Sequence, residues 1–415
     1  VVLTATDSGG AVDTQSFTVN VAALNTEFQV NTISTGAQYE PAISTLNDGG
    51  FVVVYTYANE YGKSPIGLLG QIYDANGNTS GSTFHIDSED NYNFTPGSPS
   101  VAGLQDGGFC VTWWTDSGSD KGIFGQRFSA NGTKQGEAFK VNTSDSNSHR
   151  YSEVTTLEND DFVVTWQSIG QSGDPEWGIF GQRFDAAGNS IGSEFHINTT
   201  TARGQTDPSI ASLSTGGFIV TWEDEYKDGS GHGIFGQIYD ASGNRIGNTE
   251  FQVNTQDQNH QRDSSVDELS NGNILVAWTS DAKDGGGSIS GMGNGGIFGQ
   301  LLNSDGTKIG SEFQINTYVT GNQALPSTAS LADGGFIVAW QSQAQDQIGG
   351  DSSRGWYNGI FGQRYDAAGN KVGTEFQINT TTNDDQQQVE VAVWGDGFVV
   401  TWESFNQDGD SVGVY

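Results

Sequence analysis

The sequence is poor in cysteine, in basic residues and in long apolar runs, and each shortage excludes a class of protein. Only one of the 415 residues is a cysteine, Cys110, so no disulfide framework can form within the chain. Because Cys110 lies in the strand-like string Phe109-Cys110-Val111, we expect a buried thiol. Lysine and arginine number 16 against 50 acidic residues, and the net charge of -34 would repel the phosphates of a nucleic acid. No apolar run approaches the roughly 20 residues that span a membrane, so we expect no membrane insertion.

Glycine is abundant, with 59 copies that indicate many turns, and the chain repeats itself. A string of the type Glu-Phe-Gln-Ile-Asn-Thr recurs at intervals of 55–63 residues, with its phenylalanines at Phe28, Phe84, Phe139, Phe195, Phe251, Phe313 and Phe376. A second string, Gly-Ile-Phe-Gly-Gln, ends at Gln71, Gln126, Gln182, Gln237, Gln300 and Gln363. A third, of the type Gly-Gly-Phe-Val-Val-Thr-Trp, ends at Tyr55, Trp113, Trp166, Trp222, Trp278, Trp340 and Trp402.

Each repeat reads as four short strands, which we label a to d. In the repeat that contains Trp222, strand a covers residues 209–213, strand b 218–222, strand c 234–239 and strand d 250–254. Strand b is apolar on both faces, as expected for a strand that is covered on two sides. Seven repeats of four strands predict an all-β fold, a seven-bladed β-propeller of four-stranded antiparallel blades.

The two ends of the chain complement each other within this repeat. The chain enters the repeat at strand d, over residues 26–32, and leaves it early in strand c, at residues 413–415. We therefore expect the N-terminal strand to pair into the last blade and close the ring, which removes two open sheet edges. The propeller domain then covers residues 23–415.

Residues 1–22 lie outside the repeat and read as two alternating strands around a glycine-rich turn. The strings Val-Val-Leu-Thr-Ala-Thr-Asp-Ser-Gly-Gly (1–10) and Thr-Gln-Ser-Phe-Thr-Val-Asn-Val (14–21) resemble the final hairpin of the cadherin-like or immunoglobulin-like domains of giant bacterial surface adhesins. The propeller repeats are similar to the tandem repeats of large secreted, calcium-associated bacterial proteins. These resemblances imply a piece of a longer multidomain chain, outside or on the surface of a Gram-negative bacterium, with a role in adhesion.

Residues that recur strictly predict structural roles. We expect the strand b tryptophans to fill the blade cores and the strand c glutamines to make buried hydrogen bonds. We expect a structural role also for the polar residues that lie seven positions after the strand d asparagine, namely Gln38, His149, Gln205, Gln261, Gln323 and Gln386.

The loops differ between the two faces of the predicted ring. Loops a–b and c–d are short and nearly identical, whereas loops d–a and b–c vary in length and chemistry. Because loops on a rigid scaffold carry function, we expect the variable face to bind a ligand, and aromatic rings beside polar groups favour a glycan. The candidate contacts are Trp177, Trp356, Tyr357, Tyr226, Arg150 and Arg262. Packing of the aromatic residues between loops, and pairing of the arginines with loop acids, are the alternatives.

The b–c loops are also acidic, and calcium is the cofactor that oxygen-rich turns favour. The candidate ligands are Asp408, Asp410, Asp228 and Asp224. None of these strings matches a complete calcium-loop pattern, and a solvated acidic turn is the alternative.

These observations together predict a non-enzymatic, extracellular carbohydrate-binding module of an adhesin, with no catalytic residue. Two alternatives stay open: a structural spacer without a ligand, and a polysaccharide-acting glycosidase or lyase, because propellers also carry such enzymes. Against an enzyme stand the missing sialidase-type box and five histidines that do not cluster along the repeats. Carboxylate pairs are easily proposed in so acidic a chain, so they carry little weight.

Overall fold

The computed structural model describes residues 2–6, 12–16, 27–59, 66–87, 96–116, 121–144, 148–158, 160–171, 173–256, 258–281, 294–346 and 357–415. Every regular element in these ranges is a β-strand, as predicted for an all-β protein. No helix long and apolar enough to cross a membrane occurs in these ranges.

The strands form a hairpin, five four-stranded antiparallel sheets and one seven-stranded sheet. The hairpin consists of β1 (Val2–Thr6) and β2 (Val12–Ser16), with Val2 opposite Ser16. The four-stranded sheets are β7 (Pro96–Gly103), β8 (Phe109–Thr115), β9 (Gly122–Phe128) and β10 (Lys134–Lys140); β11 (His149–Thr156), β12 (Phe162–Ile169), β13 (Trp177–Phe184) and β14 (Ser190–His196); β15 (Gln205–Ser212), β16 (Phe218–Glu225), β17 (His232–Tyr239) and β18 (Arg245–Gln252); β19 (Gln261–Glu268), β20 (Ile274–Asp281), β21 (Gly295–Leu302) and β22 (Lys308–Gln314); and β23 (Gln323–Ser330), β24 (Phe336–Gln343), β25 (Asn358–Tyr365) and β26 (Lys371–Gln377).

The seven-stranded sheet joins the last three strands of the chain to the four strands that follow the hairpin. Its strands, in spatial order, are β27 (Gln386–Trp394), β28 (Gly397–Phe405), β29 (Val412–Val414), β3 (Ala37–Thr45), β4 (Phe51–Ala58), β5 (Gly67–Tyr73) and β6 (Thr79–His85). All neighbours are antiparallel except β29 and β3, which meet in parallel with Val412 opposite Ala37.

The apolar pattern of strand b is explained by packing on both faces. In β16, Phe218 and Trp222 pack against Val163 of the preceding sheet, whereas Ile219 faces the other way and packs with Trp278 of the following sheet. Each sheet is therefore covered on both sides, and burial of each such side chain contributes about 1.5–3 kcal/mol. The strand b tryptophans are buried, as predicted for blade-core residues.

Strand a of every repeat lies innermost. The inner strands β3, β7, β11, β15, β19, β23 and β27 each contact the next in this order, and β27 also contacts β3. Sheets arranged radially around a channel lined by their first strands make a propeller-type fold.

Two of the recurring strings are explained by one contact between strands c and d. The ring of Phe84 lies over Gly70 so closely that a Cβ atom on Gly70 would be 2.5 Å from the ring, and Phe139 covers Gly125 in the same way. The strand c glutamines are buried and bond within the sheet, as predicted: Gln237 donates to the carbonyls of Ile238 and Ile246, both at 2.9 Å.

At the end that bears the d–a and b–c loops, the strand d asparagine bonds within its own sheet and to the first residue of the next sheet. In the sheet of β11–β14, the Asn198 Oδ1 atom accepts a hydrogen bond from the Ile179 N–H at 2.7 Å. Its Nδ2 group donates to Gln205 Oε1 at 2.8 Å and to Asp174 Oδ2 at 3.1 Å. Gln205 therefore has the structural role predicted for it, and the same amide contact is made by Gln38, Gln261, Gln323 and Gln386.

The structure differs from the predicted strand boundaries at the N-terminal end. The second strand of the hairpin starts at residue 12, two residues before the predicted 14–21, and residues 17–21 of that prediction lie outside the described residues. Residues 27–31 form no regular strand, but the Val30 N–H donates to the Val414 carbonyl at 2.8 Å. Cys110 is fully buried, as predicted, and burial raises the pKa of its thiol to about 12.

Candidate functional site

Every strand a carries a β-bulge at the same repeat position, and these bulges shape one mouth of the channel. The bulged residue has a left-handed backbone in all seven strands, with φ between 42° and 55°, although none is glycine. These residues are Glu40, Ser98, Tyr151, Asp207, Asp263, Leu325 and Gln388. Such a conformation costs a non-glycine residue about 1–2 kcal/mol. Bulges re-aim side chains and are frequent beside active sites.

A side chain of the neighbouring sheet holds most of these bulges. The residue after the strand b aromatic accepts a hydrogen bond from the bulged N–H of the next sheet, which we call the latch contact. Gln167 Oε1 accepts from the Asp207 N–H at 2.8 Å, and Glu223 Oε1 accepts from the Asp263 N–H at 2.8 Å. The other latch contacts join Thr279 to Leu325 (3.2 Å), Gln341 to Gln388 (3.3 Å) and Glu403 to Glu40 (2.7 Å).

An acidic cluster lies where β15, β16, β17 and β19 meet. It contains the half-buried Asp207 and Asp263 and the almost fully buried Glu223, whose Oε2 atom lies 2.8 Å from Nδ1 of His232. The ring of His260 stands edge-on to that of His232, with centroids 5.0 Å apart. The five histidines do not cluster along the sequence repeats, but the fold brings these two together.

The pKa values of three groups in this cluster, Asp207, Asp263 and His232, are raised. Burial, followed by the charges of Glu223 and Asp263, raises the pKa of Asp207 to about 7. Burial and the charge of Glu223 raise the pKa of Asp263 to about 6. The hydrogen bond to Glu223 raises the pKa of His232. Carboxyl groups whose environments separate their pKa values can divide acid and base roles between them.

The two predicted ligand-binding arginines pair with acidic side chains. Arg150 Nη2 lies 2.5 Å from Asp116 Oδ2, and its guanidinium stands over the ring of Trp114. Arg262 Nη2 lies 2.7 Å from Asp281 Oδ1, beside the acidic cluster. Both arginines therefore form the ion pairs with acidic residues that were the alternative to ligand binding.

Two of the predicted aromatic residues, Tyr226 and Trp177, lie beside consecutive residues of one d–a loop, Arg203 and Gly204. Tyr226 is 48% exposed, and the guanidinium of Arg203 covers its ring at 4.5 Å from the centroid. Gly204 lies beside Trp177 and accepts a hydrogen bond from the Glu225 N–H at 3.0 Å. Trp177 is not a loop residue as predicted, because it is the first residue of β13, half-buried and opposite Ile169.

The remaining predicted aromatic contacts are Tyr357 and Trp356. Tyr357 is half-buried, and its carbonyl accepts a hydrogen bond from the Ala344 N–H at 2.8 Å. Trp356 lies outside the described residues.

Three of the four predicted metal ligands make hydrogen bonds at sheet ends. Asp408 Oδ2 accepts from Asn31 Nδ2 at 3.1 Å, and Asp228 Oδ2 accepts from Asn254 Nδ2 at 3.4 Å. Asp410 Oδ2 accepts from the Gly36 N–H at 3.1 Å.

Asp224, the fourth, is not a loop residue, because it lies in β16 with a fully buried side chain 3.7 Å from Lys227 Nζ. In the part of the chain that the structure describes, no three His, Cys, Asp or Glu side chains are grouped so that they could hold a metal ion.

A cavity of about 580 Å³ lies between the outer strands β10 and β14, away from the acidic cluster. Its acidic residue, Glu194, accepts hydrogen bonds from the Thr143 N–H at 2.8 Å and from the Thr143 hydroxyl at 3.0 Å. Glu194 thus joins two sheets, whereas Asp207, Asp263 and His232, whose pKa values are raised, lie elsewhere, in the acidic cluster.

Comparison with known proteins gives the fold. No family model and no curated protein sequence matches the chain. Among solved structures, a polysaccharide lyase PL25, an ulvan lyase, is 10% identical, with a TM-score of 0.57 over 94% of this chain and 95% of its own. The GH93 α-L-arabinofuranosidase of Fusarium graminearum is 12% identical, with a TM-score of 0.53 over 78% of this chain and 94% of its own. The α-L-arabinanase of Penicillium chrysogenum is 11% identical, with a TM-score of 0.51 over 73% and 88%.

The prediction of a non-enzymatic adhesion module is contradicted by these similarities. The named structures are a lyase and two glycoside hydrolases, and their names carry neither an adhesin nor a cadherin-like domain. At 10–12% identity the similarity establishes the propeller-type fold. The resemblance of residues 1–22 to a cadherin-like hairpin stays a prediction.

Sequence reasoning did not select Asp207, Glu223 or Asp263. A signal was present, because alignment of the repeats places a carboxylate at the bulge only at Glu40, Asp207 and Asp263. Asp207 lies on the strand that pairs directly with the Glu223 strand, where Thr206 is opposite Glu223. The approach of Asp263 to Glu223 was not readable, because Asp263 belongs to the next sheet.

Proposed function

We propose that this protein is a polysaccharide-acting enzyme that hydrolyses glycosidic bonds at the acidic cluster of the channel mouth. The observation that carries the proposal is the pair of half-buried aspartates, Asp207 and Asp263, presented by strained bulges on either side of the Glu223 carboxylate. The enzymes named above, which share the fold, act on polysaccharides and support the same class of reaction.

The roles follow from the protonation of each group. Asp207 keeps its proton to the higher pH, so it is the general acid that protonates the glycosidic oxygen as the bond to the leaving sugar breaks. Asp263 ionises at lower pH, so its carboxylate takes a proton from the water that adds to the anomeric carbon. This assignment gives a pH optimum between about 6 and about 7, the two raised pKa values.

Substrate contacts are expected from the same loop face. Tyr226, with Arg203 on its ring, and the nearby Trp177 offer apolar surface on which a sugar ring stacks, while Arg262 borders Asp263. Tyr357, Arg150 and the Trp356 position are further candidates on this face. A glycan is therefore the proposed partner, and an extracellular location is proposed with it.

We also propose that the propeller has seven blades and that residues 27–31 close it. In the sheet of β11–β14 the asparagine Oδ1 accepts from a strand c N–H, and Asn31 makes the same contact with the Val414 N–H at 3.0 Å. Glu27 accepts from the Thr380 hydroxyl at 2.5 Å, as Glu375 accepts from Thr317 between two central sheets. These contacts support the proposal that residues 27–31 take the place of strand d in the last blade.

Calcium binding by Asp408, Asp410, Asp228 and Asp224 stays a prediction. The same holds for the division into a hairpin at residues 1–22 and a propeller at residues 23–415.

The hydrolase proposal is tested by Asp207→Asn beside Ser98→Asn. Both positions are bulges with a left-handed backbone, which asparagine tolerates well, so both variants should fold. On arabinan and other uncharged polysaccharides, Asp207→Asn should lose reducing-end release by about 10²–10⁴-fold, the range for a general acid. Ser98→Asn should match the parent.

Two results would contradict the proposal. One is the absence of bond cleavage by the parent across uncharged, uronate and sulfated glycans. The other is equal activity of Asp207→Asn and Ser98→Asn. Release of unsaturated uronate products instead of reducing sugars alone would convert the assignment from a hydrolase to a lyase.

A further inference from the structure

The latch contact is made by different residue types in different sheets. Gln167 and Gln341 each use the side-chain amide oxygen to accept from the bulged N–H of the next sheet. Glu223 and Glu403 use one carboxylate oxygen for the same purpose. Glutamine therefore suffices for the structural contact, and the charge of a glutamate at this position has to be explained by something else.

Glu223 is distinguished by the use of its second carboxylate oxygen. That oxygen lies 2.8 Å from Nδ1 of His232, whose ring carries the edge-on contact with His260. The Glu223 side chain is only 6% exposed, whereas His232 is 32% exposed and accessible from the loop face. In Glu403, by contrast, the second oxygen accepts from the Gln387 amide at 2.9 Å.

We propose that Glu223 is a positioning residue of the active site, an anion that joins two blades through Asp263 and, through His232 and its two neighbouring aspartates, sets the protonation of the site. This inference rests on the proposed function for its catalytic consequence. The effect of Glu223 on the protonation of its neighbours is inferred from the contacts of Glu223 and does not depend on the proposed function.

The charges around Glu223 come from every strand packed against it. Asp207 lies on β15, Asp263 and Arg262 on β19, Asp281 on β20, Glu225 on β16 and His232 on β17. Glu223 raises the pKa of Asp207 and of Asp263 as a like charge, and it raises the pKa of His232 as a hydrogen-bonded anion. Removal of this one charge should therefore lower all three pKa values together.

The experiment compares Glu223→Gln with Glu403→Gln in the whole chain. Both substitutions keep an amide oxygen for the latch, as Gln167 and Gln341 do, so both variants should melt within a few degrees of the parent. The histidine ring protons are titrated by NMR, and a His232→Gln variant assigns the His232 signal. Initial rates of glycan hydrolysis are measured across the same pH range.

In Glu223→Gln we expect the His232 titration midpoint and the alkaline limb of the pH–rate profile to move to lower pH. In Glu403→Gln both should stay where they are in the parent. An unchanged His232 titration in Glu223→Gln overturns the inference, and so does a variant that only loses stability. If His232 shifts but no glycan is cleaved by any variant, the proposed function falls while the role of Glu223 in setting the protonation stands.

Discussion

Glu153 and Glu390 occupy one repeat position of the inner strands, two residues after the bulge, where the other strands have only alanine or serine. Glu153 Oε2 accepts from the Ser100 hydroxyl at 2.9 Å, and Glu390 Oε2 accepts from the Ser327 hydroxyl at 2.8 Å. Burial and the charge of Glu390 raise the pKa of Glu153 to about 8, and burial raises the pKa of Glu390 to about 7. These two side chains therefore bring like charges into the channel when both ionise.

This arrangement makes stability depend on pH in a definite direction. A carboxyl group with a raised pKa in the folded state favours folding while it holds its proton, and that contribution is lost as the pH rises through the folded value. For Glu153 the loss falls between its ordinary pKa of 4.5 and about 8. We expect Glu153→Gln, which keeps the shape without the charge, to raise the melting temperature by a few degrees at about pH 9 and hardly at all at about pH 4.

Thermal melts of the parent and of Glu153→Gln across this pH range measure the effect. The matched control is Glu137→Gln on the outer strand β10, where the side chain is exposed. An equal gain for both variants at high pH would mean that the overall charge of -34, and not the channel position, is responsible.

At the scale of the element, the contribution of residues 27–31 can be compared with that of a complete strand d. Asn31 and Asn198 make equivalent bonds: each Oδ1 accepts from strand c, and each Nδ2 donates to a glutamine and to a b–c loop aspartate. If the N-terminal segment completes the last blade, Asn31→Ala should destabilise the protein about as much as Asn198→Ala. Either loss leaves buried groups unpaired and should cost about 1–3 kcal/mol.

Denaturant unfolding of the two variants decides between closure and a loosely attached end. A clear loss in Asn198→Ala with none in Asn31→Ala would show that the N-terminal segment adds little to the ring. Open sheet edges promote association between chains, so the parent should also stay monomeric longer than a variant that lacks residues 27–32.

At the scale of the whole molecule, charge determines which substrates we expect for the proposed enzyme. The chain carries a net charge of -34. Three of its carboxyl groups, those of Asp207, Glu223 and Asp263, lie together at the channel mouth, while Arg150 and Arg262 are paired with acids. Such a field repels anionic polymers and leaves uncharged polysaccharides unaffected. We expect uncharged glycans to be cleaved about tenfold or more faster than uronate or sulfated glycans of equal length at low salt.

Ionic strength separates this effect from the shape of the site. Added salt screens the repulsion, so the rate on an anionic glycan should rise with salt while the rate on an uncharged glycan stays flat. Initial rates on both substrates from about 10 mM to about 500 mM sodium chloride measure this. A polyanion cleaved best at low salt would contradict the prediction.

The amino-acid sequence by itself determined the repeating architecture. Its recurring strings of phenylalanine, glycine and tryptophan predict the strand order and the residues of the blade core. They do so because each repeat makes the same local contacts, such as Phe84 over Gly70 and Trp222 between two sheets. The structural glutamines were likewise predictable, since Gln205 recurs at a fixed distance from Asn198.

The candidate site was decided only by the tertiary structure. Asp207 and Asp263 are 56 residues apart in the sequence and become neighbours because adjacent sheets place their bulges side by side. Their shifted protonation, and that of His232, comes from burial and from the Glu223 carboxylate of a third strand, none of which a periodic pattern records. Asp408, one of the loop acids that suggested calcium, accepts a hydrogen bond from Asn31 at a sheet end, because the fold brings together two residues that are 377 positions apart in the sequence.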